Sequence, residues 1–593
     1  MTLIPPAAPE RASLVQVEAS LAAMMERLLG ILDRPPLTQD GLVEITAIYN
    51  NVAYVFLYLE ANEEHVDFSR LRPWRDAFDK DPLLDGRILA ALHDLRCADA
   101  EAEESRQAYV AQLTGKLAGG DTATEAAIDR LVEQAKSVLG DIEQAQDRIL
   151  DRLGVDGSGN PQAVFYRLLS TTGSTASREK LARAWTAERD RRQDDLIDLV
   201  DRMAEVRRRR TGPGRTVMDE TMAKCRITED EVEAFLGRYL ARALTAHVAL
   251  EAEVRAATGV DRRPLDSFPR YLRTVSGGTP PPLFDLDDCL DHAFEVARAV
   301  FGLTMRRAGD GHGDVLLVEV RRGDEQVGTI NLDLWDADAK TVRANHTKGL
   351  RNRTDWAGIV QRPVAYVSCR FRRGRDGSSL LTFQNVHGLF HEFGHAVNHL
   401  LIRKRISNRS GLEYLPLERL EYLSMWFEKW VYHPDFGSRL TSSDVDPTRL
   451  AQARWLKMAE VRRTFLERAV TAALDFEMHR RADGGLADAF RRLDDRHGVA
   501  EFCTLGDFPV YFTWPMFVAN PGANFEYLFG SADSCQRFRP FQQLGLTELD
   551  RGPDGAELFA TCFDFDLPTE IPDSDALFDF YGAPALPPVG TVV

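Results

Sequence analysis

His391-Glu392-Phe393-Gly394-His395 constrains this chain more than any other feature. The five residues lie in an apolar run, with Leu389 and Phe390 before them and Ala396 and Val397 after. On an α-helix, residues four apart share a face, so both imidazoles can converge on one point. Glu392 lies about 100° round the helix from His391, close enough to serve a water held there. The pattern is that of a hydrolytic zinc site. Taken alone, these five residues also fit an ordinary amphipathic helix that carries histidines. The apolar positions Leu389, Phe390, Phe393, Val397, Leu400 and Leu401 predict a buried helix over Leu380–Leu401. Burying His, Glu and His there without partners is costly, which favours the metal reading. Gly394 costs about 1 kcal/mol of helix propensity relative to alanine. A close approach is expected at that glycine, and plain helix–helix contact is enough to explain it.

A catalytic zinc needs a third protein ligand, with one position left open. The stretch Leu417–Trp430 reads as the next helix, and Glu421, Ser424 and Glu428 fall on one stripe of it. A lone glutamate on a helix is usually a solvated charge. Here Leu420, Leu423, Met425, Trp426, Phe427 and Trp430 surround the stripe, so its carboxylates are not idle. Glu421 is the candidate third ligand. Glu428 and Ser424 are candidates for orienting the ligands from behind.

These stretches resemble the thimet oligopeptidase and oligoendopeptidase F family of zinc metallopeptidases. The matching residues are Phe390-His-Glu-Phe-Gly-His-Ala396 and the helix carrying Glu421, Ser424, Glu428 and Trp430. Gly328–Trp335 with Lys340 resembles the family's strand before its substrate-side loop, and Arg362–Cys369 its active-site edge strand. The resemblance spans roughly residues 325–430; the N-terminal half agrees only in length and helical character. It implies that His391, His395 and Glu421 hold one zinc, and that Glu392 is the general base and proton shuttle. It also implies a bilobed, mainly α body with a small antiparallel sheet beside the metal helices and a deep central channel. A short peptide would lie along Val364–Cys369, with Ala365 among the residues it touches.

The resemblance breaks in Thr513–Gly530. The family places a histidine and several tyrosines there; this stretch has no histidine, and Met516 falls about where it belongs. Tyr527, Tyr511 just upstream and Asn524 are the remaining candidates for holding substrate, with Asn520 a further polar group. Losing one oxyanion donor costs on the order of 10²–10³ in rate. The expected activity is hydrolysis of short peptides, with a dedicated processing peptidase of narrow specificity as one form of it. The alternative is a diverged, non-hydrolytic member that binds a peptide or protein partner; the intact His391, Glu392, His395 and Glu421 argue against it.

Composition narrows the classes. At 593 residues, 44% hydrophobic, the chain can build more than one unit. A formal net charge of −18 argues against a nucleic-acid partner. The seven cysteines are scattered with no C-x-x-C pair, which suggests reduced thiols and a cytoplasmic setting. No run of about 18 apolar residues stands out and the N-terminus lacks a signal-peptide pattern, so no membrane partner is expected. A monomer or small homo-oligomer is expected.

Helices are predicted through most of the first half: Ser13–Leu32, Gly41–Ala61, Asp85–Leu117, Thr122–Leu153, Ser177–Arg210 and Thr228–Thr258. Thr228-x-x-Glu231 is a capping box. Glu188–Arg210 alternates in sign and reads as a solvated helix laced with ion pairs. The turn-rich stretch Ser276–Leu283 divides the chain into a helical region, 1–275, serving as channel wall or lid, and a catalytic region, 276–593. Val315–Arg321 and Gln326–Trp335 read as a hairpin and Pro363–Phe371 as a third strand. Arg343–Arg353 reads as a loop carrying His346 and Gly349. His387 and His399 lie about 120° apart round the helix and cannot both join one site. They read as surface or supporting residues, with His387 the better candidate for support.

Overall fold

The computed structural model describes residues 8–63, 65–118, 122–155, 164–165, 168–169, 171–172, 174–211, 214–259, 267–276, 282–337, 340, 345–374, 377–438, 440 and 445–582. Most of the stretch 276–283 lies outside them. The chain forms two compact units. The first comprises Met1–Asp121, Leu283–Val445 and Arg537–Pro568; the second comprises Thr122–Pro282, Asp446–Gln536 and Thr569–Val593.

This corrects the expected division at 275/276. A break does fall beside that point, at Pro282/Leu283, but the helices before Asp121 belong with Leu283–Val445, and the remaining predicted helices of 1–275 with the second unit. The reason is burial. The helix Gln39–Ala61 is apolar over most of its circumference, with Leu42, Val43, Ile45, Val52, Val55 and Leu59 among its buried residues. It shares one core with Val17, Leu21, Met24 and Leu28 of the preceding helix, and with Leu350, Val364 and Tyr366 of the sheet. By length and composition this helix could also cross a membrane, contrary to the sequence expectation, yet 78% of its apolar window is buried inside the protein.

Nine strands follow in chain order among the described residues: β1 Leu283–Asp285, β2 Thr304–Asp310, β3 Leu316–Arg322, β4 Glu325–Trp335, β5 His346–Arg351, β6 Thr354–Trp356, β7 Ile359–Gln361, β8 Val364–Phe371 and β9 Leu380–Thr382. The main sheet has the order β2-β3-β4-β8-β5. The predicted hairpin is present as β3 and β4. The sheet is mixed, not antiparallel as expected, because β4 and β8 run parallel. β8 is an interior strand: Ala365 pairs with Ile330 on one side and with Gly349 on the other. The outer strand beside it is β5, in a stretch expected to be a loop. Alternation along β5 turns Thr347 and Gly349 to one face and Leu350 to the other. Leu350 joins the core of the N-terminal helices, while Thr347 and Gly349 meet the helix Phe383–Leu401.

That helix is capped by Thr382, whose hydroxyl accepts from the Asn385 N–H. It starts after β9, three residues later than predicted. The predicted helix Asp85–Leu117 is two, Pro82–Asp94 and Ala100–Leu117, because Asp99 caps a new start.

The second unit is built largely from long helices: Thr122–Arg152, Thr175–Thr211, Glu229–Thr258 and Pro447–His479. Thr228 and Glu231 form the predicted capping box. Glu188 pairs with Arg192 and Glu205 with Arg209 along the charged helix. Its inner stripe buries Leu196, Leu199, Val200 and Met203. The mean contribution of such exposed pairs is only about 0.3–0.5 kcal/mol each, so the inner stripe does most to hold the helix in place.

Candidate metal centre

The helix Phe383–Leu401 carries His391, Glu392 and His395. It crosses the segment 421–429 closely enough to exclude a side chain. A Cβ on Gly394 would stand 2.6 Å from Ser424 Cα and 2.8 Å from the Leu423 carbonyl oxygen. This contact is why glycine sits in the middle of the motif. It also sets the carboxylate of Glu421 against both imidazoles.

Glu421 Oε2 lies 3.4 Å from His391 Nε2 and 3.3 Å from His395 Nε2. One ligand atom from each of the three residues lies within 4.8 Å of the others. The two rings stand nearly perpendicular, 85° apart with centroids 4.9 Å apart. Glu421 is not inside a helix, as expected, but at the N-terminal boundary of the short helix Tyr422–Lys429. A 3-10 turn, Leu417–Arg419, precedes it. The tightened turn leaves the Ser424 hydroxyl 2.7 Å from Glu421 Oε2, as a hydrogen-bond donor.

The groups behind this trio favour a cation. Glu428 Oε1 lies 2.7 Å from His391 Nδ1. A proton on Nδ1 satisfies that bond and turns the lone pair of Nε2 toward Glu421. His387 Nε2 stands 3.3 Å from the other Glu428 oxygen. Burial opposes charge on Glu421, but the imidazoles of His395 and His391 and the Ser424 hydroxyl outweigh it, and its pKa falls to about 2. Burial likewise opposes charge on Glu428; His387, Lys429 and His391 overcome it and hold the carboxyl well below its usual range. For His391, burial favours the neutral ring, yet Glu421, Glu428 and Glu392 together raise its pKa to about 10. One carboxylate and two imidazoles converging in this way suit zinc in donor type and number, with a fourth position left open.

One residue absent from the sequence expectations joins the site. Thr347 Oγ1 of β5 lies 2.9 Å from Glu392 Oε2 and 2.9 Å from the Glu392 carbonyl oxygen. Its only sequence signal is alternation within a short polar stretch. His399, expected as a surface or supporting residue, is fully buried. Its Nε2 lies 2.9 Å from the Arg351 carbonyl oxygen, a bond that ties the helix to β5. A Cβ on Gly349 would come 2.4 Å from the His399 ring, so β5 can lie this close only with glycine there.

The candidate substrate residues are divided between the two units. Ala365 is fully buried on interior strand β8, and its backbone is already paired on both sides. A peptide cannot add there, which corrects the expectation for Val364–Cys369. Tyr511, Tyr527 and Asn524 lie in the second unit. The Tyr511 hydroxyl donates to Glu467. The Asn524 backbone N–H donates to Asp475 Oδ2 at 3.1 Å, and that of Gly522 to Asp475 Oδ1 at 3.0 Å. Lys224 donates to Asn520 Oδ1. Tyr527 is half-buried on the helix Phe525–Phe538.

Comparison with known proteins identifies what the chain is similar to. Oligopeptidase A of Escherichia coli is 25% identical over 364 residues, covering 56% of this chain and 53% of that protein. Oligopeptidase A of Salmonella typhimurium is 24% identical over 337 residues, 53% of this chain and 49% of that protein. An Arabidopsis thaliana protein described as a cytosolic oligopeptidase A is 29% identical over 235 residues, 37% of this chain and 33% of that protein. The chain spans about half the length of the bacterial relatives it matches, and less of the plant one. Two solved structures share the fold over nearly the whole chain. One is described as an oligoendopeptidase F, with a TM-score of 0.56 at 14% identity, covering 96% of this chain and 95% of the other. The other, from Bacillus anthracis and described in the same way, has a TM-score of 0.51 at 12% identity over the same shares. The model of peptidase family M3 matches residues 169–498, more than half of the sequence and including His391, His395 and Glu421, and the chain belongs to that family.

Proposed function

We propose that this chain is a zinc-dependent oligopeptidase that hydrolyses peptide bonds in short, extended peptides in the cytoplasm. The observation that carries the reading is the convergence of His391 Nε2, His395 Nε2 and Glu421 Oε2 in a member of peptidase family M3. The relative described as cytosolic supports the compartment.

His391, His395 and Glu421 would hold one zinc. Zinc, when bound, supplies a Lewis acid that acidifies water toward neutral pH and polarises a peptide carbonyl. Glu392 takes the proton of the attacking water on its carboxylate and returns it to the departing amine. Thr347, donating to Oε2, leaves Oε1 as the oxygen that carries the proton. Glu428 keeps the His391 ring in the tautomer that presents Nε2. Ser424 restrains the Glu421 carboxylate. The substrate backbone lies along the outer strand β5, whose edge can accept another strand. β8 is closed to it.

A narrow substrate range belongs to the same proposal. Met516 offers no strong donor, and the Tyr511 hydroxyl already serves Glu467 within its own unit.

The test pairs the zinc-loaded protein with its Glu392→Gln variant on a mixed peptide library, read by mass spectrometry. The variant should retain zinc and lose cleavage by several orders of magnitude, because glutamine keeps the shape and cannot accept the proton. Near wild-type cleavage by the variant would remove Glu392 as the base. No cleavage by the zinc-loaded wild type would remove the peptidase reading.

A further inference from the structure

A second cavity lies in the first unit, away from the metal centre. It has a volume of about 350 Å³, and none of His391, Glu392, His395 or Glu421 lines it. Its walls come from the helices Gln39–Ala61, Arg72–Asp79, Pro82–Asp94 and Ala100–Leu117 and from residues between Asn352 and Tyr414. We propose that this cavity is a binding site for a small organic ammonium ion with a short apolar body.

Charge is the first argument. Four carboxylates, Glu60, Asp79, Asp85 and Glu413, line the cavity with two cations, Arg75 and Lys116. Arg75 serves Glu60 and, at 3.6 Å, Asp79. Lys116 Nζ lies 2.8 Å from Asp85 Oδ2. Glu413 receives the Asn352 side-chain amide at 2.8 Å. With every group ionised, the lining carries two negative charges more than positive ones.

The second argument is independent of that balance. Asp85 is 2% exposed, Tyr109 6% and Ser407 1%. All three line the cavity. Asp85 Oδ1 and the Ser407 hydroxyl have no hydrogen-bond partner within the protein, and the Tyr109 hydroxyl, bonded to the Tyr49 side chain, keeps a free lone pair. An ionised carboxylate oxygen can only accept, and each hydroxyl has acceptor capacity to spare. An ammonium group brings three donors and no acceptor. It therefore meets these three oxygens and offsets the local charge together. An anion would face the carboxylates, and a neutral alcohol would leave the charge unbalanced.

The rest of the wall selects the body of the ligand. Val52, Phe56 and Leu113 supply an apolar side. Tyr49, Tyr109 and Tyr414 offer aromatic rings to a cation. The volume falls at the low end of small-molecule sites, about 300–1,000 Å³, and suits a ligand of roughly ten heavy atoms.

The probe is phenethylammonium chloride, titrated into the full-length protein by calorimetry, with sodium 3-phenylpropionate as an anion of matched size. Expected is one site per chain for the ammonium ion and at least tenfold weaker binding of the carboxylate. Asp85→Asn removes the charge and keeps the shape, and should weaken the ammonium ion at least tenfold. Tyr109→Phe removes one hydroxyl and should weaken it severalfold. Circular dichroism checks each variant; if Asp85→Asn does not fold, Tyr109→Phe decides alone. The proposal is overturned by absence of binding at about 10 mM ammonium ion, by equal affinity for the carboxylate, or by folded variants that bind like wild type. Binding at the metal centre instead would appear as that last outcome.

Discussion

Gly394→Ala is the sharpest test of how the metal centre is assembled. On an isolated helix this change is favourable by about 1 kcal/mol, because alanine restricts the unfolded chain and suits the helix. Here the added methyl would come 2.6 Å from Ser424 Cα and 2.8 Å from the Leu423 carbonyl oxygen. Ordinary carbon contacts are about 3.5–4.0 Å, so relief requires a retreat of roughly 1 Å. Both neighbours are backbone, and no rotamer change can make room. The retreat separates His391 and His395 from Glu421, three residues before Ser424. Overpacking of this kind costs about 1–3 kcal/mol, enough to cancel the propensity gain or reverse it. A misplacement of about 1 Å among catalytic groups costs on the order of 10²-fold in rate. The assays are zinc affinity by chelator competition, kcat/KM on a cleaved peptide, and the urea midpoint. Expected are weaker zinc binding, a fall in kcat/KM of about two orders of magnitude, and no gain in midpoint. A variant that is more stable than wild type and fully active would refute the argument, because it would mean that the two segments do not meet at Gly394.

Glu428→Gln keeps the size of the side chain but weakens its hold on the His391 Nδ1 proton. Zinc affinity should fall about 10–100-fold, measured by competition with a chelator. Wild-type affinity would show that Glu428 does not orient the ring. Asp475→Ala addresses the second unit. Asp475 is fully buried, accepts from the backbones of Gly522 and Asn524, and lies 3.0 Å from His479 Nδ1. Its loss should cost about 3–5 kcal/mol in denaturant unfolding, and a cost under about 1 kcal/mol would show that the network is not holding the Gly522–Asn524 turn.

Much of the candidate metal centre could be read locally. His391 and His395 share a face because a helix repeats every 3.6 residues, and a stripe through Glu421, Ser424 and Glu428 needs only the same rule. The structure keeps their grouping while moving Glu421 to the helix boundary, since three-residue and four-residue spacings survive a tightened first turn. The ion-paired charged helix and the Thr228 cap were readable for the same reason: each is settled by residues a few positions apart.

What could not be read depends on long-range pairing. Val364–Phe371 is apolar along its length, which marks burial and does not name its neighbours; only the sheet order shows β8 between β4 and β5. His346–Arg351 reads as part of a loop because neither of its faces shows an apolar stripe, so Thr347 and its contact with Glu392 went unseen. The N-terminal helices looked separable because nothing in their own sequence says which sheet their apolar surface covers. The chain by itself determined which residues bring metal-binding chemistry and the helical spacing that gathers them, since both follow from backbone geometry over a few residues. Only the tertiary structure decided which strand ends the sheet beside them, which hydroxyl meets Glu392, and which distant helices complete the core, because those choices are made by surfaces hundreds of residues apart finding complementary shape.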